Sequence, residues 1–279
     1  MKKVIVILLA AALLLSVMGC KKAENKKLTV AMSPDFAPME FVDTSKTGQE
    51  QYVGFDVTLA NFLADELGME LEIKPMSFDA CMTAVQLGSV DMAISGFSWK
   101  PDRAENFLLS DYYIAGDNET QQSVITVKAK ENTCKTQADF SGWKVGAQAS
   151  SLQEQLVKDE LIPAGAELVV YKSIDDAVLA LQTGKIDALA VAHGNGEAII
   201  ANNPDLAFTG FDFDVDPKYE NNVILLNKSN TEMLEKVNKV LAKAMAAGVY
   251  DGWYEDAKAL AGIPTAADVS YDDDGKPVS

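Results

Sequence analysis

Side chains able to do chemistry are sparse in this sequence. It has one histidine, His193, and three cysteines, Cys20, Cys81 and Cys134, too few for a multi-ligand zinc site or a disulfide framework. There is no recognisable nucleophile–base pair, no set of residues at metal-ligand spacing and no glycine-rich phosphate loop. Asp35 and Glu40, in the stretch Ser33-Pro-Asp-Phe-Ala-Pro-Met-Glu-Phe41, have the chemistry for an acid and a base. Acids in loops are usually solvated, which argues against a catalytic pair. No metal and no cofactor is called for, and recognition remains as the available chemistry. Lys and Arg total 24 against 41 Asp and Glu, a formal net charge of −17. A chain this acidic is repelled by phosphate backbones, so nucleic acid is excluded as a partner. With 279 residues, 48% of them hydrophobic, it has material for two compact cores and too much apolar surface for a disordered chain.

Those side chains have to be positioned by an α/β framework. Residues 77–91 align without gaps on residues 173–187, sharing Ser77/Ser173, Asp79/Asp175, Ala84/Ala180, Gln86/Gln182, Gly88/Gly184 and Asp91/Asp187. Each copy reads as a helix N-cap, an amphipathic helix, a glycine stop and a buried strand. The expected strands are 92–95 and 188–191, each preceded by an earlier strand, 28–32 and 144–147. A strand–helix unit occurring twice predicts two similar lobes with largely parallel sheets. Residues 122–127, following a loop at 116–120, and residues 222–226 are apolar strands placed to carry the chain between lobes. Residues 231–246 form an amphipathic helix. The expected organisation is therefore lobe 1 at 28–121 and 222–262, lobe 2 at 122–221, and an acidic disordered tail at 263–279. Two crossings make a two-strand hinge, and a cleft between hinged lobes is suited to trapping a ligand. Cys81 and Cys134 fall in different lobes and are expected as free, buried thiols.

The N-terminus reads as a separate piece. Lys2 and Lys3 precede an apolar run at 4–18 whose single polar residue is Ser16. As a helix it would span roughly 22 Å against the ~30 Å of a bilayer core, so it reads as an export signal. Val17-Met18-Gly19-Cys20 resembles the lipobox of bacterial lipoproteins, which implies a lipid anchor on Cys20. The other reading is an ordinary signal peptide with an incidental cysteine. Loss of residues 1–19 removes two lysines and deepens the charge from −17 to −19. The lysine-rich stretch 20–27 would be a tether between membrane and fold.

Several motifs, in order, carry a resemblance to a family. Ser33–Phe41 resembles a first βα loop, and Gly54-Phe-Asp-Val-Thr-Leu-Ala60 matches the helix that follows. Ser95-Gly-Phe-Ser-Trp-Lys-Pro-Asp-Arg103 is similar to a signature ending in arginine, followed by Leu109-Ser-Asp-Tyr-Tyr113. Over about 200 residues the chain resembles the extracellular solute-binding proteins of family 3, the polar amino-acid-binding proteins of ABC importers. The resemblance implies two Rossmann-like lobes joined by a two-strand hinge, the type II periplasmic-binding-protein fold. It also implies a monomer, an amino-acid-like ligand, an ABC permease and ATPase as partners, and a position outside the cell membrane or on the periplasmic side.

The resemblance implies a cradle as well. Arg103 would take the ligand's α-carboxylate, for which a guanidinium supplies a rigid two-pronged donor that lysine lacks. Ser98, Ser95 and Gly96 would add hydroxyl and backbone donors. Phe36 and Phe78 would sandwich the ligand side chain, although both also read as core aromatics. Ser150 and Ser151 would present helix N-terminal N–H groups, and read equally as a helix cap. Relatives carry an aspartate for the ligand's ammonium five residues after the second repeat's aspartate, where this chain has Ala192. Ser33 likewise stands where several relatives have an acid. His193, Asn195 and Glu197 are the nearest substitutes, with His193 readable equally as a hydrogen-bonded loop residue and Glu197 as solvent-facing. The expectation is a carboxylate-poor pocket whose ligand is recognised by carboxylate and shape, such as a modified or neutral-headed amino-acid derivative. Two other functions are open: a ligand-sensing subunit for a membrane receptor, and a cyclohexadienyl dehydratase-like enzyme of the same fold using Asp35 and Glu40.

Overall fold

A computed structural model describes residues 26–113, 121–219, 221–265 and 268, and the backbone of Ser270–Tyr271 and Pro277–Val278. The signal segment, Cys20 and most of the tether, the loop at 116–120 and the acidic run at 272–274 lie outside the described residues.

The chain builds two five-stranded sheets of matching topology. The first contains β1 (Lys27–Met32), β5 (Glu70–Pro75), β6 (Met92–Ala93), β7 (Leu108–Leu109) and β13 (Leu225–Leu226), ordered β5-β1-β6-β13-β7. The second contains β8 (Gln122–Val127), β9 (Lys144–Gln148), β10 (Glu167–Tyr171), β11 (Ala188–Ala192) and β12 (Leu206–Asp212), ordered β10-β9-β11-β8-β12. In each, the first three strands are parallel and the fourth is antiparallel to its neighbours. That fourth strand, β13 or β8, is laid down by the chain as it arrives from the other sheet. Between β1 and β5 lies a small antiparallel sheet of β2 (Asp35–Phe36), β3 (Glu40–Val42) and β4 (Tyr52–Val53).

Helices cover both faces of each sheet. Alternation along β1 sends Leu28, Val30 and Met32 into one core cluster, with α1 (Phe55–Leu67), α7 (Thr231–Ala247) and α8 (Tyr250–Ala261). Ala31 faces the other way, toward α2 (Phe78–Gln86). In the second sheet Val124 and Ile125 divide in the same manner between two clusters, and α5 (Ile174–Gln182) lies in the place of α2.

The sequence repeat corresponds to these two helices and their flanks. Gly88 and Gly184 follow the helices with φ of +67° and +69°, a conformation that a Cβ would strain. The repeat's last residue ties its unit to the first strand of its own sheet. Asp91 Oδ2 accepts from the Thr29 N–H at 2.8 Å, and Asp187 Oδ2 accepts from the Lys144 N–H at 3.0 Å.

Three element boundaries differ from expectation, and two elements were not expected at all. Strand β6 stops at Ala93, because the chain turns there into the loop 95–98. β13 covers only 225–226, Asn222 making isolated bridges to Ser98 and Tyr113 instead. β12 and α8 are elements that the sequence reading left unassigned. The tail, expected to be structureless from 263, contributes Ile263 to a buried cluster with Ala198 and Ala261 and pairs Ser270–Tyr271 with Pro277–Val278. Cys81 and Cys134 are free and buried. Among the described residues no helix is long and apolar enough to cross a membrane.

Candidate functional site: a closed interlobe cleft

A cavity lies between the two sheets, lined by residues from both sides. At its centre is Arg103, on α3 (Pro101–Asn106), with only 1% of its surface exposed. Its guanidinium carbon sits 5.5 Å from the Phe78 ring centroid and 5.3 Å from that of Phe97, two rings stacked 4.4 Å apart. Nη1 donates to the Ser98 carbonyl and Nη2 donates to the Ser150 carbonyl at 3.0 Å. Nε has no partner. A guanidinium has five N–H donors, so three remain after these two bonds, Nε–H among them. No carboxylate pairs with Arg103 among the described residues, and burial pulls its pKa down to about 10. A buried cation without a counter-charge costs several kcal/mol, so this side chain is arranged for an anion.

Other contacts also cross the cleft. The Ile174 N–H donates to Asp35 Oδ2 at 2.8 Å, so an aspartate beside one sheet meets the first residue of α5 beside the other. Gln148 Nε2 lies 3.4 Å from both Asp35 oxygens. Asn195, on α6 (His193–Asn202), donates from Nδ2 to the Ala37 carbonyl at 2.9 Å. The lobes are therefore closed on one another.

Behind the loop 95–98 lies a pair of buried carboxyls. Glu40 Oε1 accepts from the Ser95 hydroxyl, which in turn accepts from the Ser33 N–H at 3.0 Å. Asp56 Oδ2 accepts from the Gly96 N–H at 2.7 Å and from the Tyr113 hydroxyl at 3.1 Å. Both side chains belong to fully buried residues. Burial, then the neighbouring Asp56, pushes Glu40 well above the carboxylate range, and burial pushes Asp56 up to about 7. Gly96 is required here twice: its φ is +54°, and a Cβ would stand 2.6 Å from Phe36 Cε1.

Residues 28–256 match the bacterial extracellular solute-binding proteins, family 3. The chain belongs to this family. It is 28% identical over 247 residues, 86% of this chain and 92% of the relative, to the arginine-binding extracellular protein ArtP of Bacillus subtilis. It is 26% identical to a histidine-binding periplasmic protein of Salmonella typhimurium, over 81% of this chain and 85% of that one. Among solved structures, the amino-acid ABC transporter substrate-binding protein AbpA of Streptococcus pneumoniae bound to L-arginine aligns with a TM-score of 0.76. The two share 34% identity over 86% of this chain and 97% of that one. An ancestral arginine-binding protein bound to glutamine aligns at 0.73 and 32% identity, over 82% and 96%. These relatives are substrate-binding proteins, so this family-3 member is a binding protein with the type II periplasmic-binding-protein fold and not an enzyme.

The structure of this family-3 protein brings most of the named residues together. Arg103, Ser98, Phe36, Phe78, Ser95, Gly96 and Ser151 line the cavity, and Ser150 meets Arg103 through its carbonyl. Three roles need correction. The Ser95 hydroxyl and the Gly96 N–H, expected as donors to a ligand, are engaged by the carboxyls behind the loop. The Ser151 N–H, expected to face a carboxylate, bonds the Gln148 carbonyl at 3.3 Å, and the Ser151 hydroxyl accepts from the Glu154 N–H at 3.0 Å as the N-cap of α4 (Leu152–Leu156), the capping role that the sequence left open. His193 is not in the cavity lining. Its ring stacks on Phe208 at 4.4 Å and its Nδ1 bonds the Ser123 hydroxyl at 2.8 Å. Two residues along a helix rotate the side chain by about 200°, so Asn195 facing the cleft turns His193 away from it.

Glu40 is the single carboxyl among the described residues that line the cavity. Glu40 was read as a solvated loop acid. Its burial follows from contacts with Ser95 and Asp56, which no local sequence pattern announces. Gln148, Gln153 and Asn195 add amides to the lining, and Ala192 lines it as well.

Proposed function

We propose that this protein captures a polar α-amino acid between its two lobes, holds its carboxylate on Arg103, and presents the closed complex to an ABC permease. The observation that carries this reading is Arg103 itself: a buried guanidinium without a counter-ion, bonded to Ser98 of one lobe and Ser150 of the other. An anion seated on its remaining donors would neutralise the guanidinium just where the lobes meet, and so favour closure. Relatives named for arginine and histidine, and one solved with glutamine, support an amino acid as the solute. Phe36 and Phe78 flank the cavity and would pack on the ligand's side chain, with Ser98 as a further hydroxyl donor. In this reading the moving bodies are residues 28–121 with 222–262, and residues 122–221. Export through residues 1–19 and a lipid on Cys20 would keep the monomer beside the permease and its ATPase.

A thermal-shift screen with L-arginine, L-histidine and L-glutamine tests the proposal. A ligand at 100 times its Kd adds about 2.7 kcal/mol to the folded state, a rise of several degrees in Tm. Arg103→Ala should erase every shift. A shift that survives this substitution overturns the carboxylate assignment.

A further inference from the structure

The charges around the cleft are unevenly balanced. Among the described lining residues two side chains can ionise, Arg103 and Glu40. Arg103 is a cation with 1% of its surface exposed. Glu40 is hydrogen-bonded to the Asp56 carboxyl, and two carboxyls in such contact share a proton. Burial and Asp56 raise Glu40 well above the carboxylate range, so the member of the pair at the cavity wall is the one that keeps the proton. Any negative charge of the pair then rests on Asp56, which is not in the lining.

From this arrangement we infer that the cleft excludes amino acids with a cationic side chain and selects those whose side chain is polar and uncharged. The inference rests on the function proposed above and names the class of solute. This chain would then differ from relatives named for arginine.

The fixed charges nearby have the same sign. Lys100, the N-cap of α3, stands three residues before Arg103, a spacing that makes the two neighbours on a helix. It is 9% exposed, and its ion pair with the exposed Asp102 is long, at 3.9 Å. A lysine at an N-cap meets the positive end of the helix dipole and here a second cation, so local propensity does not explain it. Glu154 offsets part of its charge and Lys158 opposes it further. On the other side of the cavity Ala192, the N-cap of α6, is in the lining, and the first turn of α6 carries no acid to offset its positive end.

The carboxylate that could reverse this balance is turned elsewhere. Asp35 accepts from the Ser33 hydroxyl at 2.9 Å and from the Ile174 N–H at 2.8 Å. It lines a neighbouring cavity, together with Asp175, and not this one.

A zwitterion with a neutral side chain has no net charge and brings its own counter-ion. A guanidinium or ammonium on the side chain adds net positive charge to a cavity whose ionised wall group is already a cation, and a buried charge without a partner is costly. An uncharged polar side chain meets partners instead. The amides of Gln148, Gln153 and Asn195 and the Ser33 hydroxyl are in the lining, and such groups both donate and accept without carrying charge.

The test is calorimetry on the protein at pH 7 with two pairs of ligands, each close in size and different in side-chain charge: L-citrulline against L-arginine, and L-glutamine against L-ornithine. In each pair the cation should bind more than tenfold more weakly, about 100-fold for one uncompensated charge. Gln153→Glu puts a carboxylate on the wall and should bring each cation within tenfold of its neutral match. Where citrulline proves too long for the cavity, the glutamine–ornithine pair decides. A cation that binds the wild type within tenfold of its match, or more tightly, overturns the inference. So does an unchanged ratio in a Gln153→Glu protein that still binds the neutral ligands; if that variant misfolds, the wild-type comparison decides alone. Cations that bind as tightly as their matches, with all binding lost in Arg103→Ala, leave the carboxylate site standing, whereas failure of all four ligands overturns both readings.

Discussion

Replacing Asp56 by asparagine should stabilise this protein at neutral pH. Asp56 is fully buried on α1, with Oδ2 accepting from the Gly96 N–H and the Tyr113 hydroxyl and the Glu40 carboxyl as a further hydrogen-bond partner. Burial raises its pKa from 3.8 to about 7. The sign follows from where the proton is held. A carboxyl whose folded pKa is raised contributes stability that is fully present below pH 3.8 and is lost as pH climbs through 7. A difference of about three units at 1.36 kcal/mol each gives about 4 kcal/mol lost between pH 4 and pH 8. That is an upper end, because Asp56 and Glu40 titrate as a pair and share the effect. For a folded region of this size each kcal/mol moves Tm by about 2–4 °C, so the pair of curves should separate by up to roughly 8–16 °C. Asparagine keeps an acceptor for the Gly96 N–H and carries no charge at any pH. The assay is ligand-free thermal unfolding of wild type and Asp56→Asn from pH 4 to pH 8, read as the difference in Tm at each pH. Exposed acids whose pKa values are lowered, Asp43, Glu72 and Asp139 among them, are present in both proteins and cancel in that difference. The variant should gain on the wild type steadily as pH rises. Parallel curves would refute the account of a protonated inner carboxyl layer.

Two further substitutions test the description of the cleft. Asp35→Ala removes the acceptor that meets Ile174 N–H and Gln148 from across the cleft, a loss comparable to a helix cap at about 1 kcal/mol on the closed form. L-glutamine affinity should fall roughly fivefold and small-angle scattering should show a larger radius of gyration for the complex; unchanged values mean the contact does not hold the lobes. His193→Ala should leave ligand affinity within about twofold while lowering Tm by a few degrees through the lost Phe208 stacking and Ser123 bond. A tenfold loss of affinity would return the histidine to the cleft.

What could be read from the sequence was whatever is local or recurs. The repeat at 77–91 and 173–187 revealed two equivalent lobes because its helix and its positive-φ glycine are set by neighbours along the chain and the whole unit recurs, its aspartate tying a strand 62 residues away in one copy and 43 in the other. Arg103 was legible through the family resemblance that the contiguous motif 95–103 carries, and the structure seats it on the short helix that starts at Pro101. Glu40 was not, since its state depends on Ser95, 55 residues away, and on Asp56. His193 and Asn195 were equally plausible until the direction of α6 was known, and one helical rotation separates a stacked ring from a cleft residue. The helix α8 carries its buried residues at Tyr250, Tyr254, Ala257 and Ala261, a spacing that helical periodicity does encode and that a search of this stretch would have found.

The net charge itself misleads about the site. A value of −17 treats every carboxyl as ionised, yet burial raises the two carboxyls nearest the binding loop, Glu40 well above the carboxylate range and Asp56 to about 7. Their neutrality has a structural use. Ionised, they would repel each other across a dry core, and Glu40 would already present a charge to the cleft before any ligand arrived. Protonated, they hold Ser95 and Gly96 in place, and the Arg103 guanidinium is left as the buried cation among the residues that line the cleft.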